Sequence, residues 1–191
     1  SQRDNLQATL VALEATQAAN PDLLSADLLT ATATTCAAAL PVGNAGWKGQ
    51  IAFESKRNGA NNLYLMNADG TGITRLTDSA SDDTHPVWSP DGLALAFLST
   101  RNGAEDIYLL SATAAAPDTF ELRRLTENTV EDGAPSWSPD GKQLTFASQT
   151  DGNWDIYTIN ADGSDLRRLT DDSAADTEPQ WSPDGTRIRS E

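Results

Sequence analysis

Apolar and polar residues fall into short runs along residues 49–191, and the runs recur as a set. Leu93–Ser99 reads as a buried strand, and Ile107–Leu110 as another that matches Leu63–Met66 and Ile156–Ile159. Phe53, Phe97 and Phe146 correspond, as do Tyr64, Tyr108 and Tyr157, and then Leu76, Leu125 and Leu169. The interval is 44 residues, rising to 49 where it crosses a five-residue insertion in the stretch 112–120. Self-similarity at this period marks an array of supersecondary units and outranks any local reading of helix or strand.

Each unit carries four strand signals separated by turn chemistry. The first is short, as in Pro86-Val-Trp-Ser89, and runs into Ser-Pro-Asp-Gly. Proline presets φ for the turn, Asp favours the next position, and Gly takes the left-handed conformation that starts the next strand. The second strand closes on Arg57-Asn58-Gly59, Arg101-Asn102-Gly103 or Asp151-Gly152, all hairpin signals. The third turns at Asn67-Ala-Asp-Gly70 and Asn160-Ala-Asp-Gly163, and the fourth ends in Arg-Leu-Thr at 75–77, 124–126 and 168–170. Four antiparallel strands per unit predict an all-β fold, a β-propeller of four-stranded blades.

The order Pro-x-Trp-Ser-Pro-Asp-Gly, Phe-Ser strand, Ile-Tyr, Asn-x-Asp-Gly, Arg-Leu-Thr closely resembles the TolB-type, WD40-like repeats called PD40. The resemblance covers roughly residues 49–190, with five motif elements recurring in order. It implies a propeller in an extracytoplasmic bacterial protein (periplasmic, secreted or on the cell surface) that serves protein–protein contact. It implies no enzyme activity.

The strand supply reads as three, four, four and one. The first unit begins at its second strand, Gln50–Ser55, and Pro179–Ser182 is a lone innermost strand at the far end. Twelve strands make three blade equivalents, and propellers close with four to eight. Two arrangements follow: a homodimer forming one six-bladed ring, each last strand completing the partner's first blade, or a piece of a longer array. Residues 1–48 form a separate appendage. Leu6, Leu10 and Leu13 predict a short amphipathic helix ending at Asn20-Pro21, followed by a Thr/Ala-rich run with Cys36 and a Pro/Gly linker. The helix is too short and polar to span a membrane.

Charge narrows the partners. Acidic residues number 28 against 13 basic, a net charge of −15, so nucleic acid and anionic membrane surfaces are disfavoured by sign. Basic proteins and divalent cations are the electrostatically allowed partners. The single cysteine excludes an internal disulfide and a Cys-based metal cluster. The single histidine, His85, and the lack of a Gly-x-Ser-x-Gly elbow leave no nucleophile–base pair to read.

Candidate binding residues follow from position in the unit. His85, Val87, Ser136, Glu178 and Gln180 flank the innermost strands, at the predicted channel mouth. Asp83, Asp132 and Asp176 occupy one equivalent position and are expected at its rim. A circle of carboxylates would suit a hard cation such as Ca²⁺, whereas a repeated Asp beside a strand ordinarily fixes a loop; no cofactor is expected. Trp88, Trp137 and Trp181 recur in register and are read as blade-to-blade packing, while the unmatched Trp154 sits beside a hairpin tip. Two rival readings are a structural block assembling by strand exchange and a piece of a propeller-containing lyase or peptidase.

Overall fold

The computed structural model describes residues 49–112 and 120–191. The helical and linker expectations for residues 1–48, Cys36 among them, lie outside the described residues.

The repeat pattern becomes successive antiparallel sheets. β1 (Gln50–Asn58), β2 (Ala60–Asn67) and β3 (Thr74–Arg75) form the first, in that order. β4 (Asp83–Trp88), β5 (Ala94–Asn102), β6 (Ala104–Ala112) and β7 (Phe120–Arg124) form the second. The third holds β8 (Asp132–Trp137), β9 (Gln143–Ser148), β10 (Asp155–Asn160) and β11 (Arg167–Arg168). A final hairpin pairs β12 (Gln180–Trp181) with β13 (Ile188–Arg189).

That hairpin corrects the strand count. Among the described residues there are thirteen strands, because Ile188 pairs with Trp181 and Arg189 with Gln180. β12 is therefore paired within its own chain, and is not a lone strand free to complete a partner's sheet. Four residues ahead of the expected inner strands also join the ladder: Asp83 and Thr84 of β4, and Asp132 and Gly133 of β8.

Period-two alternation places the core between sheets. Leu95 and Phe97 of β5 face the first sheet and pack with Leu63, Leu65, Tyr108 and Leu110. Ala96 and Leu98 face the third and pack with Ile107, Leu109, Leu144, Phe146 and Ile159. β5 is buried on both faces, which is why its sequence is a nearly unbroken apolar run. Within each sheet the repeated Phe and Tyr are cross-strand partners. The pairs Phe53–Tyr64, Phe97–Tyr108 and Phe146–Tyr157 stack with centroids 5.7, 5.8 and 5.7 Å apart.

Turn residues hold the ends of the strands. The Ser hydroxyl of each Ser-Pro-Asp-Gly donates to the Asp two residues on, at 2.6 Å (Ser89–Asp91), 2.7 Å (Ser138–Asp140) and 2.6 Å (Ser182–Asp184). The same hydroxyls accept the backbone N–H of Ala94, Gln143 and Arg187. Bonds from Ser182 and Thr186 lower the Asp184 pKa to about 2, so the turn keeps its charged acceptor well below the ordinary carboxylate range. At the outer edge the Thr of Arg-Leu-Thr accepts the N–H of Leu63, Ile107 or Ile156. This bond ends the outer strand and explains why the tripeptide recurs.

Gly92, Gly141 and Gly185 close the same turn with φ of 72°, 70° and 69°. Gly141→Ala is expected to cost about 1 kcal/mol through this left-handed backbone. The new Cβ meets only Pro90 at an ordinary 3.7 Å, so a urea unfolding midpoint would read the conformational cost alone.

Candidate groove along the inner strands

Each inner strand carries a bulge. β4 pairs with β5 through Thr84 and Leu98, then slips before Val87 meets Ala96. β8 slips in the same way between Gly133 and Ser136. The slip falls on His85 and Ala134, with φ of 52° and 48°, and Glu178 repeats it ahead of β12 with φ 50°. Left-handed backbone at a residue other than glycine costs about 1–3 kcal/mol. A proline follows in every case (Pro86, Pro135, Pro179), fixing φ and removing an N–H from the disturbed ladder. At the first bulge the His85 N–H instead donates to Glu54 Oε2 of β1, at 2.9 Å.

The bulges aim their side chains into one space. β4, β8 and β12 line a groove of about 1020 Å³. Its apolar part includes these three prolines, Pro90, Val87, and the tryptophans Trp88, Trp137 and Trp181. Its polar part is His85, Glu105, Ser136, Glu178 and Gln180. Trp137 also ties neighbouring sheets, its indole N–H donating to the Val87 carbonyl at 3.2 Å. The packing role expected of this tryptophan is therefore carried partly by a hydrogen bond.

Carboxylates of one sheet cap amides of the sheet before it. Asp82 accepts the Asn61 N–H at 2.7 Å, and Glu131 accepts the Glu105 N–H at 2.8 Å. At the third boundary the repeat has Ala175 in place of the carboxylate, and the bond runs the other way: Asp176 N–H donates to the Trp154 carbonyl at 2.9 Å. Burial raises the Glu105 pKa, and the Glu131 charge adds to it while His85 opposes it. Among the described residues no group of three or more His, Cys, Asp or Glu is placed to hold a metal.

The family model of the TolB beta propeller domain, PD40, matches residues 46–129 and 118–190. The chain belongs to the TolB beta propeller family. A structure from Agrobacterium tumefaciens assigned to TolB is 27% identical, with a TM-score of 0.64 over 74% of this chain and 50% of its own. TolB from Acinetobacter baumannii is 29% identical, with a TM-score of 0.63 over 73% of this chain and 35% of its own. This chain thus spans half or less of the length of the TolB structures it matches. An oligogalacturonate lyase from Vibrio parahaemolyticus shares the fold, at 16% identity and a TM-score of 0.53 over 71% of this chain and 40% of its own. No curated protein matches the chain.

In this TolB-type propeller the sequence-predicted residues divide sharply. His85, Val87, Ser136, Glu178 and Gln180 all line the groove. Asp83 and Asp132 do not lie at its rim, because both are fully buried within their sheets. Asp83 accepts from Ser99 Oγ at 2.6 Å and from Arg101 Nη2 at 2.8 Å. Asp132 accepts from Asn128 Nδ2 at 3.1 Å through both oxygens. Asp176, their repeat equivalent, is half-buried. Two of the three acids are thus engaged inside separate sheets, and no carboxylate circle forms from them. Trp154 packs over Gly133, where an added Cβ would meet its ring at 3.7 Å. Glu105 and the prolines were not foreseen as groove residues. Glu105 lacks a repeat signal, since Asn61 and Trp154 stand in its place.

Proposed function

We propose that this TolB-type propeller is a non-enzymatic protein-binding module of the bacterial cell envelope, acting outside the cytoplasm. The groove along β4, β8 and β12 takes an extended segment of a partner protein. The observation that carries the reading is the groove's make-up, prolines and tryptophans bordered by Glu105 and Glu178. Aromatic and proline surfaces suit an extended chain, as in the recognition of polyproline-type segments. The acidic margin and the chain's net charge of −15 favour a basic segment and speed its encounter. The likeness to the Vibrio lyase is one of fold alone, and nothing in the groove favours a reaction over binding. Among the described residues no helix is long and apolar enough to cross a membrane.

Ser136→Arg would place bulk and positive charge on the groove floor, whereas Glu121→Arg adds the same side chain on the outer strand β7. From a bacterial envelope extract, the unaltered protein and E121R are expected to retain the same protein and S136R to lose it. Equal recovery by all three would sink the groove as the binding surface.

A further inference from the structure

The repeat supplies its own reference for a second site. In the second sheet the Arg101 guanidinium lies 4.7 Å from the Tyr108 ring centroid and 5.8 Å from that of Phe97. Its Nε donates to Ser99 Oγ at 2.8 Å, and its Nη2 to both oxygens of Asp83 at 2.8 and 3.0 Å. In the first sheet Arg57 takes the same place, 4.5 Å from the Tyr64 ring and 5.3 Å from Phe53, with Nε on Ser55 Oγ at 3.1 Å.

The third sheet repeats the aromatic stack, the serine and the buried aspartate without the arginine, and Asn128 Nδ2 donates to both aspartate oxygens in its stead. Phe146 and Tyr157 stack at 5.7 Å and 23°, close to the 5.8 Å and 29° of Phe97 and Tyr108. Ser148 stands where Ser99 does and Asp132 where Asp83 does. The arginine position is Thr150, in a 3₁₀ turn that reshapes the hairpin tip. Phe146, Ser148, Thr150 and Tyr157 now face a cavity of about 690 Å³. Its exposed lining residues are Glu127, Asp162, Gly163 and Leu166, and the Arg123 guanidinium, also in the lining, donates to the Ala161 and Asp162 carbonyls.

Charge bookkeeping at this boundary is unbalanced. Asp83 has Arg101 as its cation. Asp132 is equally buried, and the donor to both its oxygens is the neutral Asn128 amide. Arg124, which also lines the cavity, is engaged with the buried Asp106 at 2.8 Å. Its repeat equivalent Arg75 coexists with Arg101 at the boundary before, so an arginine there does not bar a second guanidinium. Burial, with the Asp106 charge in the same direction, raises the Asp132 pKa, as befits a carboxylate lacking a cation.

We propose that this cavity binds a guanidinium group, held on the Phe146–Tyr157 stack and bonded to Ser148, and to Asp132 by displacing the Asn128 amide that now covers both its oxygens. The flat guanidinium fork satisfies the ring face, the hydroxyl and the carboxylate together, which an ammonium point charge does not. An arginine side chain of a partner protein and a free guanidino compound share this chemistry. The site lies apart from the inner-strand groove and does not depend on the function proposed for it.

The probes are N-acetyl-arginine amide, N-acetyl-lysine amide and free arginine, titrated into the whole chain and followed by amide chemical shifts. The arginine amide is expected to saturate, shifting Phe146, Ser148 and Tyr157, and to bind at least tenfold tighter than the lysine amide. Thr150→Arg supplies the guanidinium from within and is expected to lower affinity at least tenfold while raising the thermal midpoint. Asp132→Asn, which keeps the side-chain shape, is expected to lower affinity by a similar factor. Free arginine binding as tightly as the blocked form would assign the site to a small molecule; a preference for the blocked form would assign it to a peptide. Absence of saturable arginine-amide binding, or T150R and D132N both binding like the unaltered protein, would overturn the proposal.

Discussion

Phe97→Ala is expected to destabilise the protein by about 3–5 kcal/mol, the usual range for a fully buried phenylalanine. Phe97 has no solvent exposure and lies among Leu63, Leu65, Leu95 and Tyr108. Truncation removes the transfer free energy of the ring and leaves a cavity between two sheets that cannot close without moving both. The stacking on Tyr108 and the Arg101 contact over the ring go with it. Phe53→Ala is the internal control, since Phe53 holds the same repeat position and the same stack but is only half-buried. Its cost is expected to be less than half as large. Urea midpoints at unchanged m-value would read both; equal costs would show that the boundary between the first two sheets is not the core it is taken to be.

Arg101→Thr, which writes the third sheet's residue into the second, is expected to cost about 3 kcal/mol. It leaves the Asp83 carboxylate buried at 0% exposure without its cation, and removing one partner of a buried pair costs about 3–5 kcal/mol. The lower end applies because Ser99 still donates to Asp83. Adding Asp83→Asn to R101T should recover a large part of the loss, since the uncompensated charge is then gone. A double-mutant cycle measures the coupling directly. Additive losses would mean that the pair contributes nothing beyond its separate parts.

The Arg101 and Asp83 pair also shows where sequence reading stops. The repeat itself was legible: equal spacing of Phe, Tyr and Leu, with turns at fixed offsets, leaves a four-stranded blade as the unit. Groove residues were legible too, because turn motifs flank the innermost strands and so place His85, Val87, Ser136, Glu178 and Gln180. Depth was not. Asp83 and Asp132 were expected at a rim because they share one repeat position just ahead of the Pro-x-Trp strand. The strand instead continues back through a bulge at His85 and Ala134, so both acids pair within the ladder and are buried. Bulges of this kind are signalled by glycine, and His85, Ala134 and Glu178 carry no such mark. β13 was missed because Arg187–Ser190 offers a single apolar residue, Ile188, and its strand is specified by pairing with β12.

The bonds that cross from sheet to sheet bear on how the molecule comes apart. Asp82 to Asn61, Glu131 to Glu105 and Trp137 to Val87 each span one boundary. The two core clusters do likewise, one per boundary. Such a molecule behaves as a row of coupled neighbours, in which each sheet's resistance to opening depends on those beside it. The second sheet, clasped on both faces, is the last to release its amide protons to solvent. Loss at either flank spreads inward one boundary at a time, so a defect in one repeat is felt most by the next.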